Sequence, residues 1–222
     1  MKSLFQCTLI VLALGLFMAC GNSPEGEAAQ TSDETQEAAA PATSAVKYTV
    51  DTQNSSIMWT GTKLTGSHTG TIKLSGGEMA VAEGNLTAGS FEMDMNTIEN
   101  TDLKAGEGKE DLEGHLKTGD FFEVEKFPSA SFVITGVSPV TGKEGVTHSI
   151  TGNLTLKGEA KSVTFDANVA VLSDRINAVT PAFTINRTEW GINFKSGILG
   201  TVKDKAIADD ISLVINLVAN PT

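Results

Sequence analysis

Thr71-Ile72-Lys73-Leu74-Ser75-Gly76-Gly77-Glu78-Met79-Ala80-Val81 alternates apolar and polar residues on either side of a glycine pair. Successive side chains of an extended strand point to opposite faces, so a period of two marks a strand with one face buried and the other wet. The glycine pair at 76 and 77 reads as a two-residue turn, which makes the stretch a β-hairpin.

Outward from this stretch the same period returns. Phe91, Met93 and Met95 alternate with Glu92, Asp94 and Asn96, and Val163, Phe165, Ala167, Val169 and Val171 keep the pattern over five positions. Ile150, Gly152, Leu154 and Leu156 form another such set, and Ile211, Leu213, Ile215 and Leu217 the last. With Ile57 to Thr60, Ala130 to Gly136 and Ala182 to Arg187, the pattern gives roughly eight to ten strands. An antiparallel domain of that size must close into a barrel or stack as a sandwich to manage its edges, and local pattern does not choose between them. One short helix is expected between Gly106 and Phe122, where Leu112 and Leu116 share a face.

Met1-Lys2-Ser3 precedes an apolar run from Leu4 to Met18, which has the length of a signal-peptide core and is too short for a stable membrane span. The run ends Phe17-Met18-Ala19-Cys20-Gly21, which resembles a lipobox. Residues 1–19 are thus expected to be a lipoprotein signal peptide, with Cys20 carrying a diacylglyceryl thioether and acyl chains such as palmitate. The only other cysteine, Cys7, falls inside the leader, so no disulfide is expected in the mature chain. Residues 20–45 contain Gly, Asn, Ser, Pro, Glu, Ala, Gln and Thr after the cysteine. Without aromatic or branched aliphatic residues, they read as a flexible acidic tether. The folded domain is expected over 46–222.

The chain carries 16 basic and 27 acidic residues, a net charge of −11. Such a surface repels phosphate backbones, so nucleic acid is excluded as a natural partner.

The stretch Asp111-Leu-Glu-Gly-His-Leu-Lys-Thr-Gly-Asp-Phe-Phe-Glu-Val-Glu-Lys-Phe-Pro-Ser-Ala-Ser-Phe132 resembles the signature of the YceI-like family. Gly152-Asn-Leu-Thr-Leu-Lys-Gly158, Asn186-Arg-Thr-Glu-Trp-Gly-Ile192, Trp59-Thr-Gly-Thr-Lys63 and Gly66-Ser-His-Thr-Gly70 agree with it. Glu189 and Trp190 stand where many members have Asp and Phe. The resemblance implies an antiparallel, lipocalin-like β-barrel of about eight strands that holds an isoprenoid quinone, a polyprenyl chain or a fatty-acyl lipid. A barrel of that size either fills with side chains or encloses one slender ligand.

Candidate ligand-binding residues are Phe91, Met93, Met95, His115, Phe121, Phe122, Phe165 and Phe183. Of the adjacent rings Phe121 and Phe122, only one can face the cavity if the chain there is extended, the other packing against Leu112 and Leu116. No cofactor or metal is expected, because His68, His115 and His148 lack ligand spacing with one another. No nucleophile motif is present, so the chain reads as a binding module and not an enzyme. The partners expected are an apolar lipid and, through Cys20, a membrane, with outer-membrane placement facing the periplasm and surface exposure allowed. A homodimer is compatible with this reading. The competing reading is a fully packed barrel that serves as an interaction module of the cell envelope.

Overall fold

The computed structural model describes residues 23–197 and 206–222. The expected leader and Cys20, the expected site of lipid attachment, lie outside them.

The strands are β1 (Glu27–Ala28), β2 (Gln30–Ser32), β3 (Val46–Val50), β4 (Ser56–Lys63), β5 (Gly66–Ala82), β6 (Asn85–Asn100), β7 (Ser129–Pro139), β8 (His148–Leu156), β9 (Glu159–Val171), β10 (Ile176–Val179), β11 (Phe183–Asn186) and β12 (Ile207–Pro221). Among the described residues there is one α-helix, α1 (Lys109–Lys117), which follows β6. From β5 to β9 each strand pairs antiparallel with the next. The last strand closes the ring: β12 takes β4 and then β3 along one edge, and β10 and then β11 along the other. Counting each of these collinear pairs as one stave, the ring has eight staves, as expected for the barrel.

Two hairpins turn on residue pairs with positive φ at both positions, Glu83-Gly84 (52° and 79°) and Lys157-Gly158 (50° and 76°). These are the primed turns whose twist matches that of the flanking strands. The glycine pair at 76 and 77 is not a turn. It lies inside the continuous strand β5, where the register against β6 slips between Leu74 and Gly76. A Cβ on Gly77 would lie 2.9 Å from the carbonyl oxygen of Ser90 and 2.9 Å from Cγ2 of Val50. The glycines therefore serve a bulge that bends a long strand around the ring.

Inward residues of the staves form the main core, including Leu74, Met79, Phe91, Met95, Ile134 and Ile176. Helix α1 lies over one end of the ring and buries Leu116 in a second cluster with Trp59, Ile98, Phe121 and Ile192. The strand expected to reach Arg187 ends at Asn186, whose side chain accepts from the Thr188 N–H and starts a 3-10 turn over Arg187–Trp190.

The expectation of a free tether over 20–45 is corrected for residues 27–39. Strand β1 pairs with β11 and β2 pairs with β9. Asn153 exchanges two hydrogen bonds with the Gln36 backbone, and the Ala39 N–H donates to the Ile134 carbonyl. Extended backbone next to an incomplete sheet edge satisfies its own donors and acceptors, which composition does not register.

Candidate functional site

Inward residues of the staves surround a cavity of about 200 Å³. Every exposed atom of its lining is apolar. A ligand inside would meet no exposed polar atom, the one unpaired polar group of its lining being the buried indole N–H of Trp59, so a polar group placed there would be desolvated with little compensation. The cavity selects hydrocarbon. Its volume lies between a dry cavity of about 150 Å³, which takes a single benzene, and the ~300 Å³ at which ligand pockets commonly begin. A chain would occupy it in single file.

Strand β6 contributes Phe91, Met93 and Met95 from its inward positions, and β5 adds Met79. Thioether side chains are flexible and polarizable, so this wall adapts to irregular contours. From Phe91 a row of rings runs around the wall. Phe91 and Phe132 lie 6.4 Å apart, Phe132 and Phe165 5.4 Å, and Phe165 and Phe183 4.5 Å with planes 7° apart.

Seven of the eight candidate ligand contacts, namely Phe91, Met93, Met95, Phe121, Phe122, Phe165 and Phe183, line this cavity. His115 does not. Its Nε2 pairs with Asp120 at 2.9 Å, and its ring packs edge-on against Phe121 and Phe194 at 5.2 and 4.8 Å. Phe121 and Phe122 both reach the cavity because the chain turns there and is not extended. The Phe121 N–H donates to the Thr118 carbonyl, the Phe122 N–H to the Leu116 carbonyl, and Glu123 takes a φ of 49°.

Several lining residues were not singled out in the sequence. Ile57 and Trp59 alternate on β4 and could have been found by the same period of two. Trp59 fits because Gly70 stands opposite it; a Cβ there would collide with the indole and with the Glu99 carbonyl. Arg187 also lines the cavity wall, yet it is 1% exposed and its guanidinium is turned to protein oxygens. It donates to the carbonyls of Ile192, Ala208 and Ile207 at 2.6, 3.1 and 3.2 Å, with Asp209 3.4 Å away. Burial pulls its pKa down and Asp209 opposes this.

A polar knot ties β5, β6 and α1 together at the helix end. Asn100, fully buried, donates to the Thr69 carbonyl and to Asp102, and its backbone N–H donates to Glu113. Asp102 also accepts from the Thr69 N–H and pairs with Nδ1 of His68 at 2.9 Å. Burial pushes the Asp102 carboxyl up, but His68, the Thr69 N–H and Asn100 together hold it below the usual carboxylate range. Neither the His68–Asp102 pair nor the His115–Asp120 pair borders the cavity.

The family model of the YceI-like domain matches residues 48–219. Among curated proteins, Protein YceI of Salmonella arizonae is 37% identical over 100 residues, which is 45% of this chain and 48% of that protein. A UPF0312 protein of Staphylococcus aureus is 32% identical over 92 residues, 39% of this chain and 49% of that protein. The chain therefore spans about half the length of the curated relatives it matches. Among solved structures, BcnA of Burkholderia cenocepacia superposes with a TM-score of 0.61 at 21% identity, over 77% of this chain and 99% of that one. A polyisoprenoid binding domain from Saccharophagus degradans, implicated in plant cell wall breakdown, gives 0.56 at 15% identity, over 80% of this chain and 99% of that one. Identities this low establish the fold they share with this chain.

Proposed function

The chain belongs to the YceI-like domain family, and from that premise we propose that it binds one long apolar molecule, an isoprenoid or fatty-acyl chain, inside its barrel and catalyses no reaction. The observation that carries this reading is the cavity, whose exposed surface is wholly apolar and is walled by three methionines and a row of phenylalanines. Shape and chemistry favour a hydrocarbon tail whose head, if polar, stays outside. The structural relative described as a polyisoprenoid binding domain supports the same ligand class. The lipobox around Cys20 supports an envelope lipoprotein held at the outer membrane on the periplasmic side, acting as carrier, reservoir or sensor.

The modest cavity volume also suits the second reading, a packed barrel that meets another envelope protein. Mass spectrometry of a lipid extract from native-source protein separates the two. A long-chain molecule at about one per barrel is the expected result; repeated extracts without one favour the packed module.

A further inference from the structure

Strands β9 and β10 pair antiparallel from Asn168 with Val179 to Val171 with Ile176. Continued in the same register, that pairing would set Thr164 opposite Phe183 on β11. It does not continue. Phe183 and Thr184 pair with Glu27 and Ala28, whereas Thr164, Val163 and Ser162 pair with Gln30, Thr31 and Ser32. Residues 27–32 therefore form an inserted strand, bonded to β11 along one edge and to β9 along the other.

Behind this strand the wall is thin. Phe165 and Phe183, whose rings stack 4.5 Å apart, line both the cavity and a crevice shared with residues 27–30. These stacked rings are what separates the cavity from the inserted strand.

The insertion is shaped to fit yet weakly held. Gly26, with φ of 121°, leaves room that a Cβ would close, at 2.6 Å from the Ala182 carbonyl carbon and 2.7 Å from Phe183 Cα. Residues 27–32 bring no large apolar side chain, and only Ala29 and Thr31 are partly buried. Beyond its backbone bonds, the segment is held by a hydrogen bond from Thr31 Oγ1 to Glu189 at 3.0 Å and by ion pairs at 2.5 Å from Glu27 to Lys143 and, just past it, from Asp33 to Lys161, the Glu27 and Asp33 side chains being 77% and 89% exposed. Water and salt screen such pairs. Each lysine has a second partner on β9, Asp166 for Lys143 and Glu159 for Lys161, so leaving strands no cation. The segment also precedes residue 48, where the family match begins, so the barrel that the family shares does not include it.

We infer that residues 27–32 are a detachable strand that closes a lateral entrance between β9 and β11, and that the apolar ligand passes there, between Phe165 and Phe183. This rests on the apolar-ligand reading above. A hydrocarbon ligand passing between these two stacked rings would meet apolar groups on both sides.

The test uses the purified full chain and cis-parinaric acid, a slender polyene fatty acid that fluoresces on leaving water. Ser32→Cys with Ser162→Cys joins register partners within disulfide reach, the bond being confirmed by the mass of the linked peptide. Gly26→Val, whose side chain would collide with the Ala182–Phe183 backbone, pushes the segment off while leaving the barrel's own sequence unchanged. Expected is uptake and release about tenfold slower in the linked protein, restored by reductant, and several-fold faster in Gly26→Val. The equilibrium amount bound should stay unchanged. Hydrogen exchange gives a readout that needs no ligand: amides of 28–32, 162–164 and 183–184 should open together, ahead of the remaining barrel. Probe uptake at rates indifferent to both variants overturns the entrance alone. Absence of uptake in every form overturns the apolar-ligand reading and the entrance with it. Protection of 28–32 equal to that of the barrel overturns the detachable strand.

Discussion

The guanidinium of Arg187, almost wholly out of water, donates to the carbonyl of Ile192 at 2.6 Å and so fastens the 3-10 turn to the chain that follows it. Its other nitrogens reach Ala208, Ile207 and Asp209 at the start of β12. Arg187→Met should leave these acceptors without donors and Asp209 without its cation, at a cost of about 3–5 kcal/mol. That lowers the thermal midpoint by on the order of 10 °C in a domain of this size. Arg187→Lys keeps the charge but not the fork and should recover only part of the loss. A midpoint within a degree of wild type in Arg187→Met would show that these bonds contribute nothing.

The neighbouring glycines 76 and 77 should respond in opposite ways. Nothing lies within 4 Å of a Cβ built on Gly76, and its φ is not positive, so Gly76→Ala should be neutral or stabilise by up to about 1 kcal/mol. Gly77→Ala presses on Ser90 and Val50 and should cost about 1–3 kcal/mol. Urea unfolding of both variants decides; equal losses would argue for a turn at this pair instead of a bulge.

Acid should loosen the helix end first. Because the folded Asp102 carboxyl titrates below its unfolded value of about 3.9, its contribution is complete above that value and is lost as the pH falls through the folded pKa. Asp102→Asn should be less stable than wild type at pH 7, and the two should converge as the pH falls through the folded pKa of Asp102. Denaturant midpoints across that range test the sign; parallel curves would remove Asp102 from the account.

Phe121 is 8% exposed and packs against His115 and Phe194, whereas Phe122 is only partly buried. Phe121→Ala should cost about 3–5 kcal/mol and Phe122→Ala less. Both open the same cavity, so both should change retention of co-purified lipid, measured by mass spectrometry against the thermal midpoint.

Cys20→Ser should release the protein from membranes, since each buried methylene of an acyl chain contributes about 0.8 kcal/mol to anchoring. Fractionation of cells and Triton X-114 partitioning check this. A variant that stays in the membrane pellet defeats the lipobox reading.

Alternation made most staves legible in advance. The positions of Phe91, Met93, Met95, Phe165 and Phe183 on the cavity wall follow from a period of two on strands with one dry face. What escaped depends on other physics. Gly76-Gly77 has the composition of a turn, and only the curvature of the closed ring makes it a bulge. Asn100 and Asp102 act through bonds to backbone groups about thirty residues away, which leave no spacing to read. His115 sits at the right end of the barrel but faces Asp120, a choice of rotamer that sequence does not encode. The segment 27–39 looks like linker because backbone pairing and one tight glycine hold it, without a hydrophobic signature.

Docking of β1 and β2 also moves the place where the chain leaves the folded body. Gln36, held by Asn153, is sixteen residues beyond Cys20, a contour of about 54 Å, whereas Gly26 is six residues beyond it, about 20 Å. Were Cys20 fixed in a bilayer, the inserted strand would be a short leash holding the β9–β11 side of the barrel near the lipid surface. Its release would lengthen the leash more than twofold, so a single local event would set both the standoff of the barrel and the sealing of its wall.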